Sequence, residues 1–321
     1  MASIDILVAN LLSPVILAFV LGIIASLVRS DLRLPDALYS ALTIYLLLAI
    51  GLKGGVELSR TPLADFIWPA LLTLVLGIVT PITAYIVLRR LGKMDRANSA
   101  AIAAHYGSVS AVTFIVAITF GSMTGAVAEG FMPALVAILE VPAIIVALMI
   151  SFMRGERAGS WQKALHEVVV GRSVVLLVGG LLIGLIVGVD GYAPVQPFFG
   201  GMFMGALTLF LLEMGIVAAR RLRDLRTVGL FLIGFGIAVP IVHGLLAVWL
   251  GGHAGLSVGG SAVLGAMVSS ASYIAAPAAV RIALPEANPT FYLTASLGIT
   301  FPFNLTLGIP LYFAAAAWLA G

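Results

Sequence analysis

The chain has no cysteine and little charge. The absence of cysteine among its 321 residues excludes disulfides, thiolate catalysis and cysteine-ligated metals. Only 10% of the residues are charged, whereas 61% are hydrophobic. A soluble domain typically has roughly 25% charged and about 45–50% apolar residues, so this composition excludes one. We attribute the pI near 9.3 to Lys and Arg in the cytoplasmic loops of a membrane protein and not to nucleic-acid binding.

Apolar runs long enough to cross a bilayer, which takes about 20 residues, recur along the whole chain. The first has no basic segment before it and no obvious cleavage site, so we interpret it as a retained helix and not a signal peptide. A short surface helix is expected at "WQKALHEVV", between the fifth and sixth runs. We predict ten transmembrane helices, at 11–28, 36–52, 63–88, 97–120, 130–153, 173–189, 199–219, 228–250, 257–280 and 290–319.

The basic residues predict how these helices are oriented. Cytoplasmic loops carry an excess of Lys and Arg. With both termini outside, only Lys53 and Arg60 of the 17 Lys and Arg residues lie in outer loops. The sequence therefore predicts a multi-pass protein of the bacterial plasma (inner) membrane with both termini outside.

The second half of the chain echoes the first at an offset of about 160 residues. "ALTIYLLLAIG" at 41 resembles "ALTLFLLEMG" at 206, and "SAAIAAHYGSVSAV" at 99 resembles "SAVLGAMVSSASYI" at 261. Each half holds five predicted spans, an odd number, so the second copy enters the membrane with the opposite orientation. We predict an all-α fold of two inverted five-helix repeats, residues 1–154 and 173–321, joined by a cytoplasmic linker at 155–172.

In each repeat, a short stretch of small residues weakens the helix inside the fourth predicted span. "GSVS" at 107–110 and "SSAS" at 269–272 interrupt otherwise apolar helices. Inverted repeats with broken helices that meet near the midplane are typical of secondary transporters. The half-helix after each break begins with unpaired N–H groups and a positive dipole end, which favour a small anion. The alternative is that these small residues only allow helices to pack closely.

Two acids and two histidines lie deep in predicted spans. Glu140, two residues before Pro142, is a candidate for coupling to Na⁺ or to a proton. For Glu213 a structural pairing with Lys or Arg and a coupling role stay open. His105 and His243 are expected to be hydrogen-bonded packing residues. No cofactor is expected other than Na⁺ as the coupling ion, no His/carboxylate cluster has metal spacing, and no nucleophile elbow points to an enzyme.

With these motifs the sequence resembles the cyanobacterial sodium-dependent bicarbonate transporter family, as a divergent bacterial relative. The resemblance covers nearly all of both repeats. It rests on "IGLKGG" (50–55), "GSVSAVT" (107–113), "EVPA" (140–143), "PIVHG" (240–244) and "SSASYIAAPAAVRIALPEANPT" (269–290).

The resemblance implies Na⁺-driven uptake of bicarbonate by a homotrimer, in which a mobile core holds the site and the first, second, sixth and seventh spans form a scaffold. Glu140 falls where the family has an acidic residue, and Thr113 and Asn304 are further candidate ligands of the coupling ion. The implied substrate-binding positions are Gly107, Ser108, Val109, Ser110, Ser269, Ser270, Ala271, Ser272, Tyr273 and Thr300, with Pro302 nearby.

The sequence departs from the family pattern beside this site. Tyr273 stands where the family has an aspartate, and Ala276-Pro277-Ala278-Ala279 replaces a Gly-Pro-Pro-Thr stretch. In the seventh span Val217 aligns with the family's acid, and Glu213 lies one turn earlier. The substrate is therefore expected to be bicarbonate or another small monoanion, such as a short carboxylate. The linker between the repeats is short, which leaves regulation by a PII-like partner protein open.

Other functions remain to be weighed against an elevator-type symporter. A sodium/proton antiporter of the same architecture would favour a pair of acids at the crossing, where this chain offers Glu140 with Thr300 as its repeat mate. A channel needs a continuous polar path, and two isolated breaks on apolar helices argue against one. A membrane-embedded sensor or enzyme would need an appended domain or a catalytic set, and neither is evident. The expected contacts are the lipid bilayer and a small anion, with no nucleic acid.

Overall fold

The computed structural model describes residues 11–140, 144–146, 161–222 and 224–321, together with Val8, Pro142 and Met149. All regular structure in this part of the chain is helical. The helices are α1 (Pro14–Leu27), α2 (Asp36–Leu58), α3 (Leu63–Arg90), α4 (Arg96–Gly107), α5 (Ala111–Thr124), α6 (Met132–Glu140), α7 (Trp161–Val169), α8 (Arg172–Tyr192), α9 (Phe203–Leu222), α10 (Leu225–His253), α11 (Val258–Val268), α12 (Ala276–Ala283) and α13 (Pro289–Leu319).

Seven described segments are long and apolar enough to cross a membrane. They are α2, α3, the broken pair α4–α5 taken together, α8, α9, α10 and α13. Shorter apolar helices, among them α1 and α11, stand at further predicted spans. The structure therefore agrees with a multi-pass membrane protein, while the number of ten spans stays a prediction. The fifth predicted span and the linker lie partly outside the described residues, but α7 falls on the expected "WQKALHEVV" helix.

Polar side chains begin several of these helices at the positions that helix capping requires. The Ser13 hydroxyl accepts a hydrogen bond from the Ile16 N–H at the start of α1, over 3.3 Å. The Asp95 carboxylate accepts one from Asn98 at the start of α4, over 2.8 Å, and Ser257 does the same for Gly260 in α11, over 3.0 Å. Each bond satisfies one of the N–H groups that a helix start leaves unpaired.

Two helix pairs pack with their backbones in direct contact. Gly51 and Gly55 of α2 face Gly180 and Gly184 of α8, and a Cβ at Gly55 would overlap the Leu181 carbonyl oxygen. The second pair, α1 with α9, makes the same kind of contact through glycines of both helices. Small residues allow such close approach between helices in a membrane. These two pairs are therefore fixed units of the fold.

The remaining helices surround the two interrupted segments. Helix α3 packs on α4, α10 packs on α11, and α5 contacts α11. Helix α13 departs from regular α geometry in two wider turns, Thr294–Thr300 and Asn304–Gly308. Wider turns of this kind often mark functional regions of a helix. Helix α7 lies against α12, so the segment between the two halves contacts the half-helix that follows the second break.

Candidate functional site

The predicted breaks are real interruptions of the helical backbone. Helix α4 ends at Gly107, and the backbones of Ser108 and Ser110 are extended before α5 begins at Ala111. In the second half, α11 ends at Val268 and α12 begins at Ala276. The predicted fourth and ninth spans are thus each divided into two half-helices.

The two breaks cross and bind each other. The Ser110 N–H donates to the Ser270 hydroxyl over 2.8 Å. The Ser272 N–H donates to the carbonyl oxygens of His105, over 2.8 Å, and Ser108, over 3.1 Å. Extended backbone is tolerated at membrane depth only where its polar groups find partners in the protein or in a wet cavity. Each break therefore supplies hydrogen-bond partners for backbone groups of the other break.

The crossing brings eight of the predicted substrate residues together. They are fully or almost fully buried, so the site is closed to solvent in this conformation. These residues are Gly107, Ser108, Val109, Ser110, Ser269, Ser270, Ala271 and Ser272.

A serine hydroxyl accepts a hydrogen bond at the start of each half-helix, as the N-cap of α5 and from outside the cap position of α12. The Ser110 hydroxyl accepts from the Thr113 N–H over 3.2 Å, and the Ser272 hydroxyl accepts from the Ala276 N–H over 3.4 Å. The first N–H groups of α5, at Ala111 and Val112, precede the first intrahelical bond and have no partner within their own helix. The end of α5 at the crossing is therefore a concentration of N–H donors at a positive dipole end.

Two buried hydroxyls beside Ser110 have no hydrogen-bond partner within the described part of the chain. One is the Thr113 hydroxyl, on the first turn of α5, and the other is the Tyr273 hydroxyl. The Tyr273 hydroxyl lies near Ser110 without a well-oriented bond to it, and its ring packs edge-on against Phe301 at 5.1 Å between centroids. Buried polar groups in proteins are normally satisfied, so these two hydroxyls leave hydrogen-bonding capacity unused beside Ser110.

Glu140 lies at the first break. Its side chain is 5% exposed, and the hydroxyls of Ser108 and Ser173 lie near its carboxylate. The Ser108 hydroxyl also donates to the Glu140 carbonyl oxygen over 3.2 Å. The predicted coupling acid thus contacts the site directly. Ser173, on the first turn of α8, was not predicted, although a serine opening an otherwise apolar span is a signal for a buried partner.

Asn304 lies at the second break and not beside Glu140. Its side-chain amide donates to the Ser269 carbonyl oxygen over 3.1 Å and accepts from the Ser269 hydroxyl over 3.3 Å. Glu140 and Asn304, two of the three predicted ion ligands, therefore contact different breaks. In the described residues, no group of three or more His, Asp or Glu side chains is placed to hold a metal ion.

Thr300 makes contacts that the sequence did not reveal. Its hydroxyl lies 2.6 Å from the Tyr106 hydroxyl and donates to the Gly236 carbonyl oxygen over 2.7 Å. The predicted substrate contact of Thr300 stays a prediction, but its hydroxyl already has two partners. Pro302 follows two residues later, at the centre of the short α-helical turn Phe301–Phe303.

His105, His243 and Glu213 are packed and each makes a hydrogen bond, although His105 Nε2 has no partner within the described part of the chain. His105 contacts the Ala101 carbonyl oxygen through Nδ1 at 2.6 Å and stacks on Tyr292, and His243 Nε2 lies 2.8 Å from the Thr83 hydroxyl. These contacts agree with a packing role for both histidines, which stays a prediction. The Glu213 carboxylate accepts from the Leu34 N–H over 2.9 Å. In the described residues this bond is to backbone just before α2 and not to a Lys or Arg, and a coupling role for Glu213 stays open.

Two cavities approach the crossing from opposite ends of α2. One, of about 180 Å³, reaches Phe114 and Ile115 on α5, immediately after Thr113. The other, of about 290 Å³, reaches Ile274, next to Tyr273, and Ser173, beside Glu140. Each cavity therefore reaches residues that neighbour the crossing in the sequence.

Comparison with protein-family models gives a match over most of the chain. Residues 14–317 match the model of the Na⁺-dependent bicarbonate transporter superfamily. No curated protein matches the chain. The match covers both breaks and every predicted site residue, and it confirms the resemblance that the sequence motifs indicated.

Proposed function

Since the chain belongs to the Na⁺-dependent bicarbonate transporter superfamily, and is a transporter and not an enzyme, we propose that it imports bicarbonate or another small monoanion by Na⁺-coupled symport. The observation that carries this proposal is the crossing of the two breaks. There, backbone N–H donors, serine hydroxyls and two unpartnered hydroxyls surround a closed site. The site proposed for the anion is the start of α5 with Ser110, Thr113 and Tyr273.

The donor set favours a small anion of low charge. The described residues at the crossing include no Lys or Arg, so an anion there is bound by dipoles and hydroxyls alone. Helix starts can hold an anion in this way. The Tyr273 ring fills space against Phe301 beside Ser110. A compact monoanion such as bicarbonate or formate suits this site better than a larger or dianionic substrate.

We place the coupling ion near Glu140. A carboxylate with two hydroxyls and a backbone carbonyl is a set of hard oxygen ligands, which suits a hard cation. Glu140, Ser108 and Ser173 provide such a set next to the proposed anion position. Thr113 and Asn304 remain proposed ligands. A cation at Glu140 would offset the charge of the anion, which gives a physical reason for binding the two together.

The packing supports an inverted repeat and an elevator-type movement. The contact of α1 with α9 mirrors that of α2 with α8, and the contact of α3 with α4 mirrors that of α10 with α11. We propose that the glycine-packed pairs form a static scaffold, and that the crossing moves with α3–α6 and α10–α13. Backbone-to-backbone contact resists sliding within each pair. The movement therefore takes place at the surface between the two pairs and the other helices.

The proposed setting is the bacterial inner membrane, with both termini outside and the protein as a homotrimer. The charge bias supports this orientation, because Lys53 and Arg60 stand apart from the other basic residues. In this orientation the Lys53 cavity opens outward and the Ser173 cavity opens inward. Control by a PII-like partner would act at the inner side, where α7 contacts α12.

The test is uptake of labelled bicarbonate into proteoliposomes, with and without an inward Na⁺ gradient. The double variant Ser110→Ala/Ser272→Ala should abolish gradient-driven uptake, whereas Thr208→Val, which removes a hydroxyl bonded within its own helix, should not. Uptake of formate but not bicarbonate would shift the substrate to a short carboxylate. Na⁺-driven proton movement without anion uptake would replace the symporter by the antiporter alternative.

A further inference from the structure

The cavity at the Lys53 end of α2 lies between parts of the proposed scaffold and the proposed mobile core. Its walls come from α2 and the segment before α9 on one side, and from α5 and the residues before α6 on the other. Phe114 and Ile115, two of its buried lining residues, directly follow Thr113 in α5. The cavity therefore reaches the first turns of the helix that begins at the proposed anion position.

Lys53 is the basic residue of this cavity, and its two neighbours explain why it faces the opening. A Cβ at Gly54 would collide with Pro133, and one at Gly55 would overlap the Leu181 carbonyl oxygen. These two sides of α2 are therefore occupied by helix α6 and helix α8, and the lysine takes the remaining side. Lys53 is exposed and lines the cavity, and no carboxylate lies within salt-bridge distance in the described part of the chain.

Glu129 also lines the cavity, but its carboxylate is bound elsewhere. Glu129 Oε1 accepts from the Ser257 N–H over 2.6 Å at the start of α11. Glu129 Oε2 is buried in a space that the absent side chain of Gly260 leaves open. A carboxylate at this position is stabilised by the N-terminal end of the helix. The negative charge of Glu129 thus lies against the start of α11, whereas the positive charge of Lys53 lies at the opening of the cavity.

We propose that this cavity is an entry vestibule for monovalent anions, in which Lys53 provides the positive potential that draws them toward the crossing. An exposed positive charge beside apolar walls raises the local concentration of anions. Lys53 thus supplies, at the entrance, the cationic charge that the closed site lacks. The inference rests on the proposed function for the identity of the anion and for the outward orientation.

The absence of native cysteine allows a test that does not depend on transport. Ser122 lines the same cavity and is exposed, so Ser122→Cys gives a single reactive thiol. Intact cells would be treated with an anionic and a cationic methanethiosulfonate of similar size, and the ratio of the two reaction rates measured. Adding Lys53→Gln should lower the anionic-to-cationic ratio about fivefold, as loss of a unit charge within one Debye length would.

Two matched variants control this experiment. Lys53→Arg should keep the ratio, and Arg60→Gln, which removes the other outer cation, should leave it unchanged. An unchanged ratio in Lys53→Gln would overturn the proposal. A thiol that reacts only in inside-out vesicles would overturn it as well, because the cavity would then open to the other side.

Uptake kinetics separate this proposal from the proposed function. In Lys53→Gln, the KM for external bicarbonate should rise several-fold at nearly constant kcat, and low salt should enlarge the difference. If the unmodified protein takes up no bicarbonate, the assigned substrate is wrong, while the thiol ratio still decides whether the cavity is an anion vestibule.

Discussion

The hydroxyls of Tyr106 and Thr300 lie 2.6 Å apart and join helix α4 to helix α13. Thr300 also donates to the Gly236 carbonyl oxygen in α10. Both hydroxyls are fully or almost fully buried. Three helices around the crossing are thereby held by one short chain of hydrogen bonds, one residue away from the first break.

Replacing Thr300 by Val should destabilise the protein by about 1–3 kcal/mol, since it leaves the Tyr106 hydroxyl and the Gly236 carbonyl without their partner. Thermal unfolding in detergent would measure the loss. Thr208→Val is the control, because the Thr208 hydroxyl bonds only to its own helix at Met204. Equal melting temperatures for the two variants would show that the Thr300 link contributes no stability.

Gly55→Ala and Gly179→Ala should change stability in opposite directions. An added Cβ at Gly55 overlaps backbone atoms of α8, whereas nothing lies within 4 Å of one at Gly179. Gly179→Ala should stabilise by about 0.5–1 kcal/mol, because alanine loses less conformational freedom in a helix. Gly55→Ala should lower the melting temperature clearly. If both variants were stabilised, the contact of α2 with α8 would be looser than the structure shows.

Tyr273→Phe should impair anion uptake while leaving stability unchanged or slightly higher, because the buried Tyr273 hydroxyl has no well-oriented partner to lose. Tyr312→Phe should behave oppositely in unfolding experiments, because the Tyr312 hydroxyl donates to the Pro240 carbonyl oxygen over 3.1 Å. Melting temperatures and KM for bicarbonate would be measured for both. Wild-type KM in Tyr273→Phe would remove this hydroxyl from the proposed anion site.

Glu140→Gln should raise the Na⁺ concentration for half-maximal uptake by about tenfold or more, as loss of a ligand or its direct support does at other metal sites. Glu213→Gln should leave it near the wild-type value, because a glutamine oxygen can still accept from the Leu34 N–H. The measurement is uptake against Na⁺ concentration for both variants. Identical Na⁺ dependence in Glu140→Gln and wild type would place the coupling ion elsewhere.

The positions of the breaks could be predicted from the sequence, because a short run of residues that do not favour a helix is a local signal. Gly107, Ser108 and Ser110 interrupt an apolar run, and the structure shows extended backbone at this point. The crossing of the breaks followed from the repeat, and the bond from Ser110 to Ser270 agrees with it. Features written into consecutive residues, or into a repeat, could be predicted from the chain alone.

Partners that depend on helix rotation could not be predicted in this way. Nothing in the sequence near Glu213 indicates that its carboxylate meets the Leu34 N–H, since 179 residues separate them. Asn304 and Glu140 both follow a break motif, yet wider turns in α13 place Asn304 at Ser269. The residues that face one another across helices are set by packing, which one sequence without relatives does not reveal.

The bonds between the two breaks also constrain how the chain is made. Ser110 can form its hydrogen bond to Ser270 only after a further 160 residues have been synthesised. At about 5–20 residues per second, synthesis of the intervening chain takes on the order of 10 s. During that interval the first break stands in the membrane without its final partners, so water, lipid headgroups or the insertion machinery must satisfy its backbone. The first half of this protein is therefore an incomplete membrane protein until the second half arrives.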